Sequence, residues 1–314
     1  MEGNYTKGQL FWTAFFAAVI VASTFLLFSY TSFRKGNHEQ DELYRKIITQ
    51  KYSVYSFPVP DSVDFCGERV PLERDDCFER LDRELLVNTY FHSNTFLCLK
   101  RAARWYSIIS SILAEEGVPD DFKYLCTIES SLANAVSPSG AAGFWQFLPE
   151  TAKTYGLEVN DFVDERYDTE KATRAACAFL KEARAQFGSW AMAAASYNMG
   201  RNGLAKACSN QQESEYWYLS HNEETSRYLF RILAVKEIFQ HPESYGYVMR
   251  QEDVYAPWQY SVYETSEPIA NLADFAKQKQ CKYRDLKYLN PWLRANELPN
   301  KTGKAYKIKL PKSE

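Results

Sequence analysis

Residues 120–155 constrain this chain most: an apolar pattern of helical period carries a carboxylate on its apolar face, then stops at a glycine-rich segment. Pro119 suits a first helical position, and Asp120 and Asp121 put carboxylates beside the unpaired N–H groups of a helix start. On a 3.6-residue period Phe122, Leu125, Cys126 and Ala133 share one face, with Glu129 in its middle. A carboxyl held at a core position is partly desolvated, which raises its pKa and favours the protonated form that a general acid needs near neutral pH. The competing reading is structural: a shifted helix register, or a buried carboxylate paired with an arginine.

After Leu132 the periodicity ends, and Gly140, Ala141, Ala142 and Gly143 lead into Phe144, Trp145 and Gln146. Small residues let a backbone come close to a ligand or a neighbouring helix. An aromatic beside an amide offers a flat apolar face to a sugar ring and a donor–acceptor to its hydroxyls. Glu129-Ser130, Ser137, Gly140-Ala141, Gly143, Gln146, Thr151-Ala152 and Tyr155-Gly156-Leu157 together resemble the lysozyme-like lytic transglycosylase (SLT) domain. They stand nearest the D group of membrane-bound lytic murein transglycosylases. Ala194-Ala195-Ser196-Tyr197-Asn198, Glu224-Thr225 and Tyr228 continue the match, which covers residues 95–240. Two features depart from the family pattern: the loop from Glu129 to Gln146 is one residue shorter, and Trp145 stands where many relatives carry Met.

The resemblance implies a mainly α, lysozyme-like α+β catalytic domain with Glu129 as the catalytic residue. No metal or cofactor is expected from the residues themselves, which show no ligand spacing among the His and no phosphate-cradling glycine loop. It implies a substrate groove containing Ser137, Gln146, Trp145, Tyr197, Asn198 and Tyr228. The implied substrate is peptidoglycan, cleaved without water between N-acetylmuramic acid and N-acetylglucosamine to leave a 1,6-anhydro ring. Without the family, the preferred reading makes Tyr197 a core residue and Asn198 a helix C-terminal cap before Gly200, and a packed aromatic is the alternative for Tyr228. Among the carboxylates that follow in sequence, Glu150, Asp161 and Asp164 each read as a helix-start or loop residue on a solvated surface. Two other functions remain: a non-catalytic glycan-binding protein, which has no need of a desolvated carboxyl, and a lysozyme-type hydrolase, which needs a second carboxylate.

The 314 residues exceed one typical domain. We divide them into a membrane anchor or signal segment (1–35), a linker and lead-in (36–73), the lysozyme-like domain (74–250) and a small C-terminal module (257–314). Residues Phe11–Tyr30 form an apolar run without Lys, Arg, Asp or Glu, of the length of a transmembrane helix. With no cysteine near its end and no small-x-small cleavage site, it reads as an uncleaved membrane anchor in preference to an export signal peptide. Lys7 before it and Arg34 and Lys35 after it lean toward a cytoplasmic C-terminal part. A wall substrate instead places that part in the periplasm or cell envelope, and this argument outweighs so small a charge count. Pro58, Pro60 and Pro71 break the lead-in, whose aromatics favour packing along the domain.

Helices dominate from Asp75. Residues 75–91 gather Phe78, Leu81, Leu85 and Leu86, and residues 96–115 gather Leu97, Ala102, Trp105, Ile108, Ile109 and Leu113, with Gly117 as a left-handed cap. Residues 169–187 line up Ala172, Ala176, Phe179, Leu180, Ala183 and Phe187 before Gly188, and residues 190–199 and 223–239 follow as helices. Net charge is −3, which gives nucleic acid no electrostatic footprint. The 4 His show no ligand spacing with Cys or Glu, so no metal is expected. Of the 7 Cys, Cys98, Cys126 and Cys177 lie on apolar faces as small buried side chains, while Cys66 and Cys77 stand where they could pair in an oxidising compartment.

The tail changes character: residues 257–314 hold 11 Lys and Arg against 6 Asp and Glu. Strand-like Tyr260 to Glu264, helix-like Ile269 to Gln278, a short helix from Tyr283 to Leu289 and strand-like Tyr306 to Leu310 follow in order. This β-α-α-β order, with Asn290-Pro291 and Ile308-Lys309-Leu310-Pro311, is similar to a LysM module, a binder of N-acetylglucosamine polymers. Its usual Gly-Asp-Thr opening is represented only by Glu264-Thr265-Ser266, so a basic solvated surface competes with glycan binding.

Overall fold

A short hairpin of β1 (Asp64–Phe65) and β2 (Glu68–Arg69) precedes α1 (Asp75–Tyr90), α2 (His92–Glu115), α3 (Phe122–Ser130) and the short α4 (Pro149–Thr154). Next come α5 (Thr169–Phe187), α6 (Trp190–Met199), α7 (Arg201–Gln211) and α8 (Glu223–Gln240), and the tail adds β3 (Tyr260–Thr265), α9 (Leu272–Gln278), α10 (Tyr283–Leu289) and β4 (Tyr306–Pro311). This computed structural model describes residues 54–312. The apolar run Phe11–Tyr30 lies outside the described residues. Among those described, no helix is long and apolar enough to cross a membrane.

The larger core forms around α8, which packs against α1, α3 and α6. Its Tyr228, Leu229, Phe230, Ile232, Leu233 and Ala234 are all buried, so it is apolar on more than one side and fits only where neighbours surround it. The expected face of α5 appears as drawn, and α6 forms where a helix was expected. Asp168 caps α5 through Glu170 N and Lys171 N, and Gly188 ends it in the left-handed conformation. Five consecutive residues of α6, Ala191 to Ala195, are at most 2% exposed, because small side chains let three helices close on them. Gly117 likewise ends α2 with positive φ, and Val118 N returns to Leu113 O (2.9 Å). In the lead-in, Phe65 and Val70 are buried in this core.

The apolar pattern misplaces α1. Phe78 and Leu86 are exposed, while Glu84 turns inward and is 1% exposed. Arg227 on α8 explains the rotation: its Nε donates to Glu84 Oε1 at 2.7 Å, so the buried charge has a partner. Leu97 on α2 is also at the surface. Asp121 does not cap α3. Its carboxylate accepts from Cys66 N (2.7 Å) and pairs with Lys236 (2.8 Å), tying the lead-in to α8. Cys66 and Cys77 carry free thiols; Cys98, Cys126 and Cys177 are buried.

The tail folds in the expected β-α-α-β order, with β3 and β4 antiparallel from Tyr260 opposite Pro311 to Thr265 opposite Tyr306. Its first helix begins at Leu272, not Ile269, because the Asn271 side chain accepts from Ala273 N and Asp274 N. Asn290 explains the value of the Asn-Pro turn. Fully buried, it donates to Leu286 O (2.8 Å) and Lys309 O (2.7 Å) and accepts from Lys309 N (2.8 Å), pinning β4 to α10. Residues from Phe57 onward form one compact unit. The tail's own core includes Ala142, Val163 and Tyr167 from the larger domain. Asp164 N donates to Trp292 O (2.9 Å) and Arg294 N to Phe162 O (2.8 Å), so backbone bonds join tail and domain.

Candidate active site

Helix α3 delivers Glu129 at its last turn, and the chain then reverses through Ser131 and Leu132, both with positive φ (53° and 52°). Two successive non-glycine residues there are costly and persist only where the surroundings hold them. Arg101 donates to Ser131 O (2.9 Å), Ser131 Oγ to Asn94 Oδ1 (2.9 Å), and Leu132 is buried. Ala133 therefore leaves the helical face on which its spacing placed it. This reversal ends the helix one residue past the acid and opens the space in front of it.

Glu129 is half-buried, and burial pushes its carboxyl above the ordinary carboxylate range. Tyr228 and the Arg231 guanidinium oppose that rise, and nearby Glu224 adds to it. The Tyr228 hydroxyl donates directly to Glu129 Oε1. Burial and the Glu129 charge hold Tyr228 protonated, so it stays a donor. No arginine pairs with Glu129 among the described residues, which removes the competing reading of a locked ion pair.

A cleft of about 510 Å³ opens over the acid, and Glu129, Ser137, Gln146, Tyr197 and Asn198 all line it. The Tyr197 hydroxyl donates to Trp145 O (2.7 Å), and its ring lies edge-on to Phe179 at 5.1 Å. Asn198 accepts from Thr225 Oγ1 (2.8 Å) and donates to Glu224 Oε1 (3.2 Å), so it joins α6 to the start of α8. Ser137 Oγ accepts from Ala141 N (3.0 Å), and Gln146 Nε2 donates to Ala135 O and Gly143 O, so both brace the loop that carries them. Tyr228 reaches the site through its hydroxyl on the acid. Trp145 does not face the cleft. Its side chain is fully buried and its indole N–H donates to Thr173 Oγ1 (2.9 Å), because this bulky ring fills the space behind the loop.

The sequence reading gave no place at the site to Asp164, Arg166 or the Glu224 carboxylate. Asp164, taken there for a solvated loop residue, is buried and grips Arg166 through Nε (2.9 Å) and Nη2 (2.7 Å). Arg166 in turn donates to Gly140 O (2.8 Å) and Phe147 O (3.0 Å), clamping both ends of the loop. Gly143 sits in that clamp at φ +78°, where a Cβ would meet Arg166 O at 1.9 Å. Glu224 is a second carboxylate at the cleft, exposed at its rim. Alternating aromatic and charge signals gave no hint of the clamp, since its acceptors are backbone carbonyls.

Helices wrap one half-buried carboxyl beneath a cleft walled by an aromatic ring and amides, and this mostly helical fold is consistent with a lysozyme-like domain. Residues 107–220 match the Transglycosylase SLT domain, and residues 262–314 match the Soluble lytic transglycosylase C-terminal LysM-like domain. The chain thus carries an SLT domain followed by a LysM-like one. It is similar to Membrane-bound lytic murein transglycosylase D of Escherichia coli (strain K12), with 28% identity over 198 residues, 60% of this chain and 43% of that protein. The protein of the same name from Escherichia coli O6:H1 matches at the same identity and coverage. The chain spans less than half the length of these curated relatives.

Proposed function

We propose that this chain is a peptidoglycan lytic transglycosylase in which Glu129 serves first as acid and then as base. The observation that carries this reading is the desolvated Glu129 carboxyl, held by Tyr228 at the floor of a cleft sized for sugars. Burial keeps the carboxyl protonated at higher pH than in water, so it donates its proton to the oxygen between N-acetylmuramic acid and N-acetylglucosamine. The N-acetylglucosamine side leaves with that proton on its 4-hydroxyl. The carbonyl oxygen of the muramic acid's own acetamido group closes on C1. Glu129, now ionised and stabilised by Tyr228, takes the proton from the C6 hydroxyl. O6 then displaces the acetamido oxygen at C1, giving the 1,6-anhydro ring and restoring the acid.

The SLT domain and the name of the relatives support the substrate class. That name also describes the relatives as membrane-bound, and residues Phe11–Tyr30 are the segment by which this chain would be held at the envelope. A lysozyme-type hydrolase is the second reading, because Glu224 lines the same cleft. Its carboxylate accepts from Asn198 at the rim and is exposed, an environment suited to placing Asn198 rather than to attacking a sugar carbon. Paired substitutions separate the two. Glu129→Gln removes the acid and lowers turnover of purified peptidoglycan by about 10²–10⁴-fold. Glu224→Gln leaves turnover within about tenfold. Equal losses in both would establish a two-carboxylate hydrolase.

A further inference from the structure

A second cavity, of about 340 Å³, lies between the larger domain and the tail. Trp105, Tyr167, Trp258, Tyr260, Tyr288 and Trp292 line it, and it shares no residue with the cleft over Glu129. Trp258 stands edge-on to Trp105 at 5.3 Å and lies 4.5 Å from Tyr288, a lining residue that is 58% exposed. Trp292 is buried and stacks on Tyr306, whereas Trp105 and Trp258 are half-buried and, with Tyr288, keep ring surface open to the cavity. The indole nitrogens of Trp105, Trp258 and Trp292 have no protein acceptor among the described residues, which leaves donors for a ligand.

The charged groups around the cavity are already engaged. Arg104 lies over Trp258 at 4.6 Å and donates to Ala256 O (2.9 Å). Lys309 donates to Glu170 Oε1 (2.6 Å), and Asp168 caps α5. What remains for a ligand is neutral: flat apolar faces, indole donors and the amide side chains of Asn134 and Gln259. That set matches an uncharged sugar, whose C–H face stacks on a ring while hydroxyls and acetamido groups take hydrogen bonds, better than an anionic peptide. Asn134 lines this cavity and Ser137 lines the cleft. Three residues span at most about 11 Å, so the two sites approach that closely along the loop.

We propose that the cavity between domain and tail is a glycan-binding site for N-acetylamino sugar units, which holds a strand beside the cleft that cuts it. The choice of ligand rests on the peptidoglycan reading; the aromatic cavity does not. The test uses the full chain carrying Glu129→Gln, so that nothing is cut, with a hexamer of N-acetylglucosamine as probe in calorimetry. Tyr288→Ala and Trp258→Ala are each introduced, and thermal unfolding is recorded beside the titrations. Each is expected to weaken binding about tenfold. Tyr288 is exposed, so its variant decides the matter if Trp258→Ala fails to fold. Affinity unchanged within twofold in Tyr288→Ala overturns the site. Cleavage is measured separately with Glu129 intact. Tyr288-dependent binding without cleavage supports the cavity and removes the proposed activity, whereas cleavage with Tyr288-independent binding keeps the activity and removes the cavity.

Discussion

Tyr228, from the middle of the first half of α8, donates its hydroxyl to Oε1 of Glu129 at the end of α3, across 99 residues of sequence. The pair joins two opposed influences on one carboxyl. Burial favours its neutral form and the hydroxyl favours its ionised form, which is what the proposed acid-then-base role of Glu129 would require.

Removing that hydroxyl has a signed consequence for pH dependence. In the proposed reaction Glu129 starts protonated, so activity is expected to fall on the alkaline side as pH passes its raised pKa. A hydrogen bond donated to the carboxylate lowers that pKa, and Tyr228→Phe raises it further. The alkaline limb of kcat/KM then moves to higher pH. The maximum falls roughly 10- to 100-fold, because the ionised acid loses a charge-assisted bond. A pH–rate profile of wild type and variant on solubilised glycan checks both effects.

The same desolvation is a stability cost. Glu129 has a folded pKa above its ordinary 4.5, so the folded state holds the proton more tightly than the unfolded chain. The folded state loses stability as pH rises from the unfolded pKa through the raised folded value, and below the unfolded pKa there is no loss. Glu129→Gln should therefore be more stable than wild type at neutral pH and equal to it at pH about 3. Urea unfolding at both pH values measures this, and a variant less stable at neutral pH would contradict a desolvated acid.

Much of this was written in the sequence, and the failures share a cause. Helices α5 and α6, the tail's strand and helix order, and Glu129 on an apolar face follow from periodicity, caps and glycine placement, which are local signals. Glu84 on the inner face of α1 depends on Arg227, and the turn at Ser131 and Leu132 on Arg101 and Asn94; these partners lie far along the chain. Trp145 looked like a sugar platform because its neighbours are loop residues, yet its indole found Thr173 on α5 and turned inward. Asp164 looked solvated because nothing nearby shows that the tail covers it.

Arg166 carries the loop that faces the acid, and its removal should be felt in both stability and turnover. Arg166→Ala leaves the buried Asp164 carboxylate without its partner and frees Gly140 O and Phe147 O. Breaking a buried pair from one side costs about 3–5 kcal/mol. Chemical denaturation should show that loss, and turnover measured where the variant remains folded should also fall, since Gln146 and Ser137 lose their backing. A variant with full turnover would mean that the loop does not contact substrate.

The central claim is that one carboxyl does both proton transfers and that water takes no part in closing the product. Digestion of purified glycan strands in ¹⁸O-labelled water, followed by mass spectrometry of the fragments, tests it most directly. The account predicts anhydro-ended fragments with no ¹⁸O at the newly formed ends, and loss of those fragments in Glu129→Gln. Reducing ends that carry ¹⁸O would contradict it.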